Sequence, residues 1–308
     1  MNRYLIIVLA SWLILGCDSP EDKKGRFLLK GNTKLQENDF KGARSFYDEA
    51  LQIDPDFADA YYNRGLAFKM TGDFIPAIQD FTQAVSLKEG YADAYYQRSL
   101  AYLDHGEYYK SLEDSKYLTS IEPDSERGYF LLGLGYEALK NHKEALTAFS
   151  EALKKDENNV DLIVNRATIY YYLGEMDKSL ADLDKAVDLD PKESNIYNLK
   201  SMIAFDQGEY QAAFDWVQQA IGLHSSQPYF YNNRGLYQLY LGNFEEGLDD
   251  INLSIKQDSK NLYALRNKGI YYAMTDNVEL ASQYLTQVYA SDPELPLTKE
   301  YLEKIRDL

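Results

Sequence analysis

The stretch Ala58–Tyr91, ADAYYNRGLAFKMTGDFIPAIQDFTQAVSLKEGY, decides the fold. Its skeleton is Tyr61, Gly65, Phe68, Gly72, Phe74, Ala77, Phe81 and Ala84. Shifted by its own length in either direction the skeleton returns, and eight such frames tile Lys24 to Leu295 without insertion. A fixed period of this size marks a helical solenoid, in which each unit buries its apolar face only against its neighbours. Within a frame the pattern predicts two antiparallel helices, A and B. Between them lies a Gly or polar pair: Asn38-Asp39, Gly72-Asp73, Gly106-Glu107, Asn141-His142, Gly174-Glu175, Gly208-Glu209, Gly242-Asn243 and Asp276-Asn277. Gly ends a helix because it accepts a left-handed conformation, and Asp or Asn caps the next one. Pro55, Pro123, Pro191 and Pro293 stop helix B, which proline cannot continue.

Working outward, small residues recur where the two helices must approach closely. In helix A they include Gly31, Gly65, Ser99, Gly133, Gly235 and Gly269, and in helix B Ala43, Ala77, Ser111, Ala145, Ser179 and Gly247. Tyrosines such as Tyr61, Tyr95, Tyr129 and Tyr197 fill the space beside them and read as core. These residues resemble the tetratricopeptide repeat family, whose usual pattern runs aromatic, Gly, Tyr, Ala-x3-Phe, Pro. The resemblance implies an all-α fold: a right-handed superhelical α-solenoid of about eight 34-residue helix-turn-helix repeats, residues 24–295, forming one elongated array. Residues 296–308, with Tyr301, Leu302, Ile305 and Leu308 at helical spacing, read as a C-terminal capping helix.

One pattern lies outside the family skeleton. Counting places from the start of each frame, places 7 and 23 vary together. Four repeats pair Arg64 with Asp80, Arg98 with Asp114, Arg166 with Asp182 and Arg234 with Asp250. Repeat 4 has neither charge, with Leu132 and Ala148, and three repeats pair Lys with an aromatic: Lys30 and Phe46, Lys200 and Trp216, Lys268 and Tyr284. Places 7 and 23 face each other in an antiparallel hairpin. The pattern therefore predicts Arg–carboxylate bridges in four repeats and stem packing or cation–π contact in the Lys repeats.

Composition narrows the function. The chain carries 32 basic and 49 acidic residues, a net charge of −17, which argues against binding a nucleic-acid backbone. Its one cysteine, Cys17, excludes a disulfide framework within the chain, and His105, His142 and His224 stand alone in or near turns. No metal or cofactor motif, nucleophile–base pair or carboxylate dyad is recognisable, so the chain reads as a non-enzyme without a cofactor.

The N-terminus carries an address. Arg3 precedes Tyr4–Leu15, an uninterrupted apolar or small run, too short to span a bilayer comfortably but suited to a signal-peptide core. It ends in Ile14-Leu15-Gly16-Cys17, which resembles the bacterial lipoprotein processing motif. That resemblance implies a signal peptide over residues 1–16, cleavage before Cys17, and acylation of Cys17 as a membrane anchor. Residues 17–23 then form a short tether, polar through to Gly25. The expected location is the bacterial cell envelope, on a periplasmic or surface face.

In the tetratricopeptide family helix A lines a concave groove. By that register place 6 supplies Asn63, Gln97, Asn165, Asn233 and Asn267, amides able to bond an extended peptide or, equally, neighbouring helices. Repeats 5 to 8 add Tyr171, Tyr172, Phe205, Tyr229 and Tyr240. The cationic clamp for peptide carboxylates known in the first three repeats of some family members is missing from the corresponding lining. The leading expectation is a membrane-anchored scaffold that holds a protein or peptide in the groove. The alternative is binding of glycan or peptidoglycan fragments by the tyrosine-rich C-terminal repeats.

Overall fold

A computed structural model describes residues 19–306; the expected signal peptide, residues 1–16, and Cys17 lie outside them. Among the described residues there are seventeen helices and no strand. They pair in chain order as α1 (Pro20–Gln36) with α2 (Phe40–Ile53), α3 (Ala58–Lys69) with α4 (Phe74–Leu87), and α5 (Ala92–His105) with α6 (Tyr108–Ile121). Then come α7 (Arg127–Ala138), which packs on α6, and α8 (His142–Lys155), which packs on α9 (Val160–Tyr172); α9 pairs with α10 (Met176–Leu189), and α11 (Ser194–Asp206) with α12 (Tyr210–Leu223). The last are α13 (Pro228–Tyr240) and α14 (Phe244–Gln257), α15 (Leu262–Met274) and α16 (Val278–Ser291), and finally α17 (Thr298–Arg306). The fold is an α-solenoid of helical hairpins.

The turn between helices is set by one residue per frame. Asn38, Gly72, Gly106, Lys140, Gly174, Gly208, Gly242 and Asp276 all have φ between 58° and 83°. They recur once in every frame at the same place, so the turn of the fourth repeat pivots on Lys140, just before the expected Asn141-His142. Capping is sparser than the sequence suggested. Asp39 and Asn277 accept the backbone N–H of Gly42 and Leu280, whereas the Asp73 carboxylate is taken by Thr71 and Arg44.

The tether is also shorter than expected, because α1 already begins at Pro20. Ser19 accepts the Asp22 N–H while Asp22 accepts from Ser19 N and Oγ, a reciprocal cap with proline at the first helical position. Residues 20–23 are therefore helix.

Close approach of helices A and B follows the small places. A Cβ on Gly65 would stand 2.8 Å from the Phe81 ring, and one on Gly235 would meet the Gly247 carbonyl oxygen at 2.8 Å. In repeat 3 the same contact is polar: Ser99 Oγ lies 2.8 Å from Ser111 Oγ and 3.0 Å from Ser115 Oγ, all three buried.

The helices divide into two compact units, residues 19–139 and 140–306. The division falls inside repeat 4, the one lacking both charges of the place-7 and place-23 pair. In the first unit α1 touches α3, α3 touches α5 and α5 touches α7; in the second the row runs through α9, α11, α13, α15 and α17. Successive helices B make no comparable contact, so each unit curves with helices A on its inner face. Helix α17 continues that row as the next helix A. In the second unit Lys140 Nζ reaches Asp292 Oδ2 at 3.0 Å from the far end of the sequence, so the curl is tight.

Candidate ligand-binding face

The charged pairs stand inside the hairpins. Arg64 Nε and Nη2 donate to the two oxygens of Asp80 at 2.8 and 2.7 Å. Arg98 meets Asp114 at 2.7 and 2.6 Å, Arg166 meets Asp182 at 2.8 and 2.7 Å, and Arg234 meets Asp250 at 2.6 and 2.7 Å. Each carboxylate is buried. The outer Nη1 of three arginines also crosses to the preceding helix B, donating to Asp48, Thr82 and Gln218. Place 7 thus joins repeats as well as closing hairpins, through a second, upstream partner that the sequence reading did not include. Two of the three lysines do both jobs too. Lys200 lies 5.5 Å over Trp216 and donates to Asp184, while Lys268 lies 5.4 Å over Tyr284 and donates to Asn252. Lys30 lies between Phe27 and Phe46, at 5.6 and 5.7 Å from their ring centres.

The amides of place 6 turn away from an open groove. Asn63 and Asn165 donate back to the carbonyls of Asp59 and Asp161, one turn earlier in their own helices. Gln97 accepts from Lys69 Nζ at 3.0 Å, and burial pushes that ammonium's pKa down. Asn233 donates to Asn198 Oδ1 at 2.9 Å, and Asn267 donates to Asn232 Oδ1 at 2.8 Å. Asn267 is fully buried, so it is a tie between helices and not part of a lining surface. These ties run from place 6 of one repeat to place 5 of the one before. Unpaired amides would be costly in so curved and buried a face, which is why they find each other.

The aromatic positions fall into two groups. Tyr171 donates to Asp206 Oδ2 at 2.7 Å, and burial raises its pKa. Phe205 packs against Tyr210, Tyr237 and Tyr240, and Tyr301 of α17 donates to Tyr240 Oη at 3.1 Å. This cluster is filling. Tyr172, 44% exposed with its ring tilted against that of His142 at 5.1 Å, and Tyr229, held by Asn195 Oδ1 at 2.7 Å, remain at the surface.

Three polar residues at place 5 were missed: Asn198, Asn232 and Arg266. The signal was available, since place 5 is Tyr62, Tyr96, Phe130 and Val164 in repeats 2 to 5 and turns polar only in repeats 6 to 8. Among the described residues no cluster of His, Cys, Asp or Glu could hold a metal ion, and no helix is long and apolar enough to cross a membrane.

Known proteins agree with the repeat. A family model described as TPR repeat matches residues 31–72, and others described as tetratricopeptide repeat match 58–91, 126–159 and 164–228. The chain is similar to Hsp70-Hsp90 organizing protein 3 of Arabidopsis thaliana, 36% identical over 73 residues, which is 24% of this chain and 13% of that protein. It is also similar to Photosystem I assembly protein Ycf3 of Synechococcus sp. (strain WH7803), 38% identical over 77 residues, 24% of this chain and 43% of that protein. The matches thus span less than half the length of these relatives. The crystal structure of the APC/C hetero-tetramer Cut9-Hcn1 is similar in fold, with a TM-score of 0.68 and 15% identity, over 94% of this chain and 57% of that one. Periodicity, hairpin geometry and these matches converge: the chain is built of tetratricopeptide repeats.

Proposed function

We propose that this chain is a non-catalytic scaffold of the bacterial cell envelope, anchored to a membrane through lipid on Cys17, that holds a protein segment on the helix-A side of its second unit. The observation that carries the reading is the division of labour among its polar and aromatic residues. The bridging arginines are locked in hairpins, while Tyr172, Tyr229 and Tyr263 keep 44%, 37% and 46% of their surface exposed on helices A. Exposed tyrosines on a rigid frame suit protein contact, because they bring large area at little entropic cost. The relatives named for organizing and assembly point the same way.

The test is site-specific photo-crosslinking in membranes. A benzophenone side chain at position 172 or 229 is expected to capture a protein that one at Tyr109, exposed on helix B of repeat 3, does not. Cys17→Ser is expected to release the chain from the membrane fraction. Capture equal at all three positions, or none, contradicts the scaffold reading. Heat from oligosaccharide titration in the absence of any cross-link would replace it with glycan binding.

A further inference from the structure

Arg266 is the one arginine of the second unit's inner face that the hairpin pattern does not explain. It lies in α15, 5% exposed. Its Nε and Nη2 donate to Asn267 Oδ1 at 2.9 and 2.8 Å, and its Nη1 donates to the Pro296 carbonyl at 3.1 Å. Both acceptors are neutral. No carboxylate among the described residues comes within salt-bridge reach of it, in contrast to Arg64, Arg98, Arg166 and Arg234. A guanidinium offers five N–H bonds. Three are engaged, leaving one on Nη1 and one on Nη2 without an acceptor among the described residues.

The surroundings are phenols. Tyr263 stacks 5.2 Å from the guanidinium carbon, and Tyr171, Tyr237 and Tyr240 stand close enough to act on its charge. Asp206, whose charge Tyr237 feels together with that of Arg266, is already held by Tyr171. Burial pushes the Arg266 pKa down to about 10, the mark of a cation without a counter-ion. An uncompensated buried charge is costly, and the fold has cheaper solutions at this place, as Tyr62, Tyr96, Phe130 and Val164 show. The site is also reachable. The ring that covers the guanidinium, Tyr263, is itself 46% exposed, and the Lys140–Asp292 pair, whose lysine feels Tyr263, is a surface ion pair that opens easily.

We propose that Arg266 is the anchor of an anion-binding site on the inner face of repeats 7 and 8, and that it takes a carboxylate of the bound protein segment. The proposal rests on the scaffold reading for the source of that carboxylate, not for the site itself. A planar carboxylate uses two N–H bonds, the number left over, and carries a single charge into a chain of net charge −17. A dianionic phosphate would face stronger repulsion from Asp206 and from the chain as a whole.

The experiment compares benzoate with benzamide, which match in shape and differ in charge, on the full chain by thermal unfolding. Benzoate is expected to raise the midpoint by roughly 2–4 °C and benzamide to leave it unchanged. Arg266→Gln and Arg266→Met are each expected to abolish the benzoate shift, and Arg266→Met without ligand to unfold at a higher temperature than the parent. Equal shifts from benzoate and benzamide, or a benzoate shift that survives in Arg266→Met, would overturn the site. A larger shift from inorganic phosphate would overturn the carboxylate assignment. A benzoate shift with no protein cross-linked at position 172 would sink the scaffold reading and assign the site to free carboxylates. Cross-links with no benzoate shift would do the reverse.

Discussion

Replacing Asp114 by Asn separates the structural arginines from any that bind. Asp114 is 6% exposed and accepts two hydrogen bonds from Arg98 at 2.7 and 2.6 Å. The third contact of Arg98 is to the neutral Thr82 hydroxyl at 3.2 Å. Without the carboxylate the guanidinium is left buried and unpaired, a loss of about 3–5 kcal/mol. Asp80→Asn is expected to cost less, about 2 kcal/mol, because Arg64 keeps the half-exposed Asp48 as a charged partner. The chain supplies its own apolar control, since repeat 4 holds Leu132 and Ala148 at these places. The double variant Arg98→Leu, Asp114→Ala copies it and is expected to lie within about 1 kcal/mol of the parent, as burial of the pair is itself costly. In keeping with that cost, burial pushes the Asp114 carboxyl's pKa up despite the pull of Arg98. The assay is urea unfolding with hydrogen exchange read over α5 and α6, because a stack of repeats need not unfold in one step. A cost below about 1 kcal/mol for Asp114→Asn, or a double variant as damaged as the single one, would refute the reasoning.

Two further outcomes are expected. Gly235→Ala drives a Cβ to 2.8 Å from the Gly247 carbonyl oxygen and from Ile251 Cγ1, so it should cost upward of about 1–3 kcal/mol. Gly222→Ala meets nothing within 4 Å and should gain about 0.5 kcal/mol; matching urea midpoints for the two would contradict the packing account. Glu137 in α7 has its pKa pushed by burial from 4.5 to about 7. A raised folded-state pKa gives stability that is whole below pH 4.5 and lost as pH rises through about 7. The first unit should therefore be more resistant to urea at pH 5 than at pH 8, and Glu137→Gln should flatten that difference, which circular dichroism measures.

The fold was legible because every level of the sequence repeats it. The left-handed turn, the small places at the A–B contact and the Arg–Asp pairs all return with the same period, and a residue that departs in one frame is judged against seven others. The start of α1 was hidden because its reciprocal Ser19–Asp22 cap lies upstream of the first frame, where no repeat offers comparison. The binding face was less legible for a different physical reason. Register says which residues of a helix A point inward, but not how tightly the helices curl, and the curl decides whether an inward amide meets a ligand or another amide. In the second unit it brings Asn233 to Asn198 and Asn267 to Asn232, so residues that suited a peptide backbone serve the protein's own. The same curl that uses up these amides leaves Arg266 with two N–H bonds free among the described residues, because its neighbour Asn267 is an acceptor without charge. A departure from the repeat that the stack fails to satisfy is therefore a better pointer to a partner than any residue the repeat keeps, and by that criterion place 5 outranks place 6.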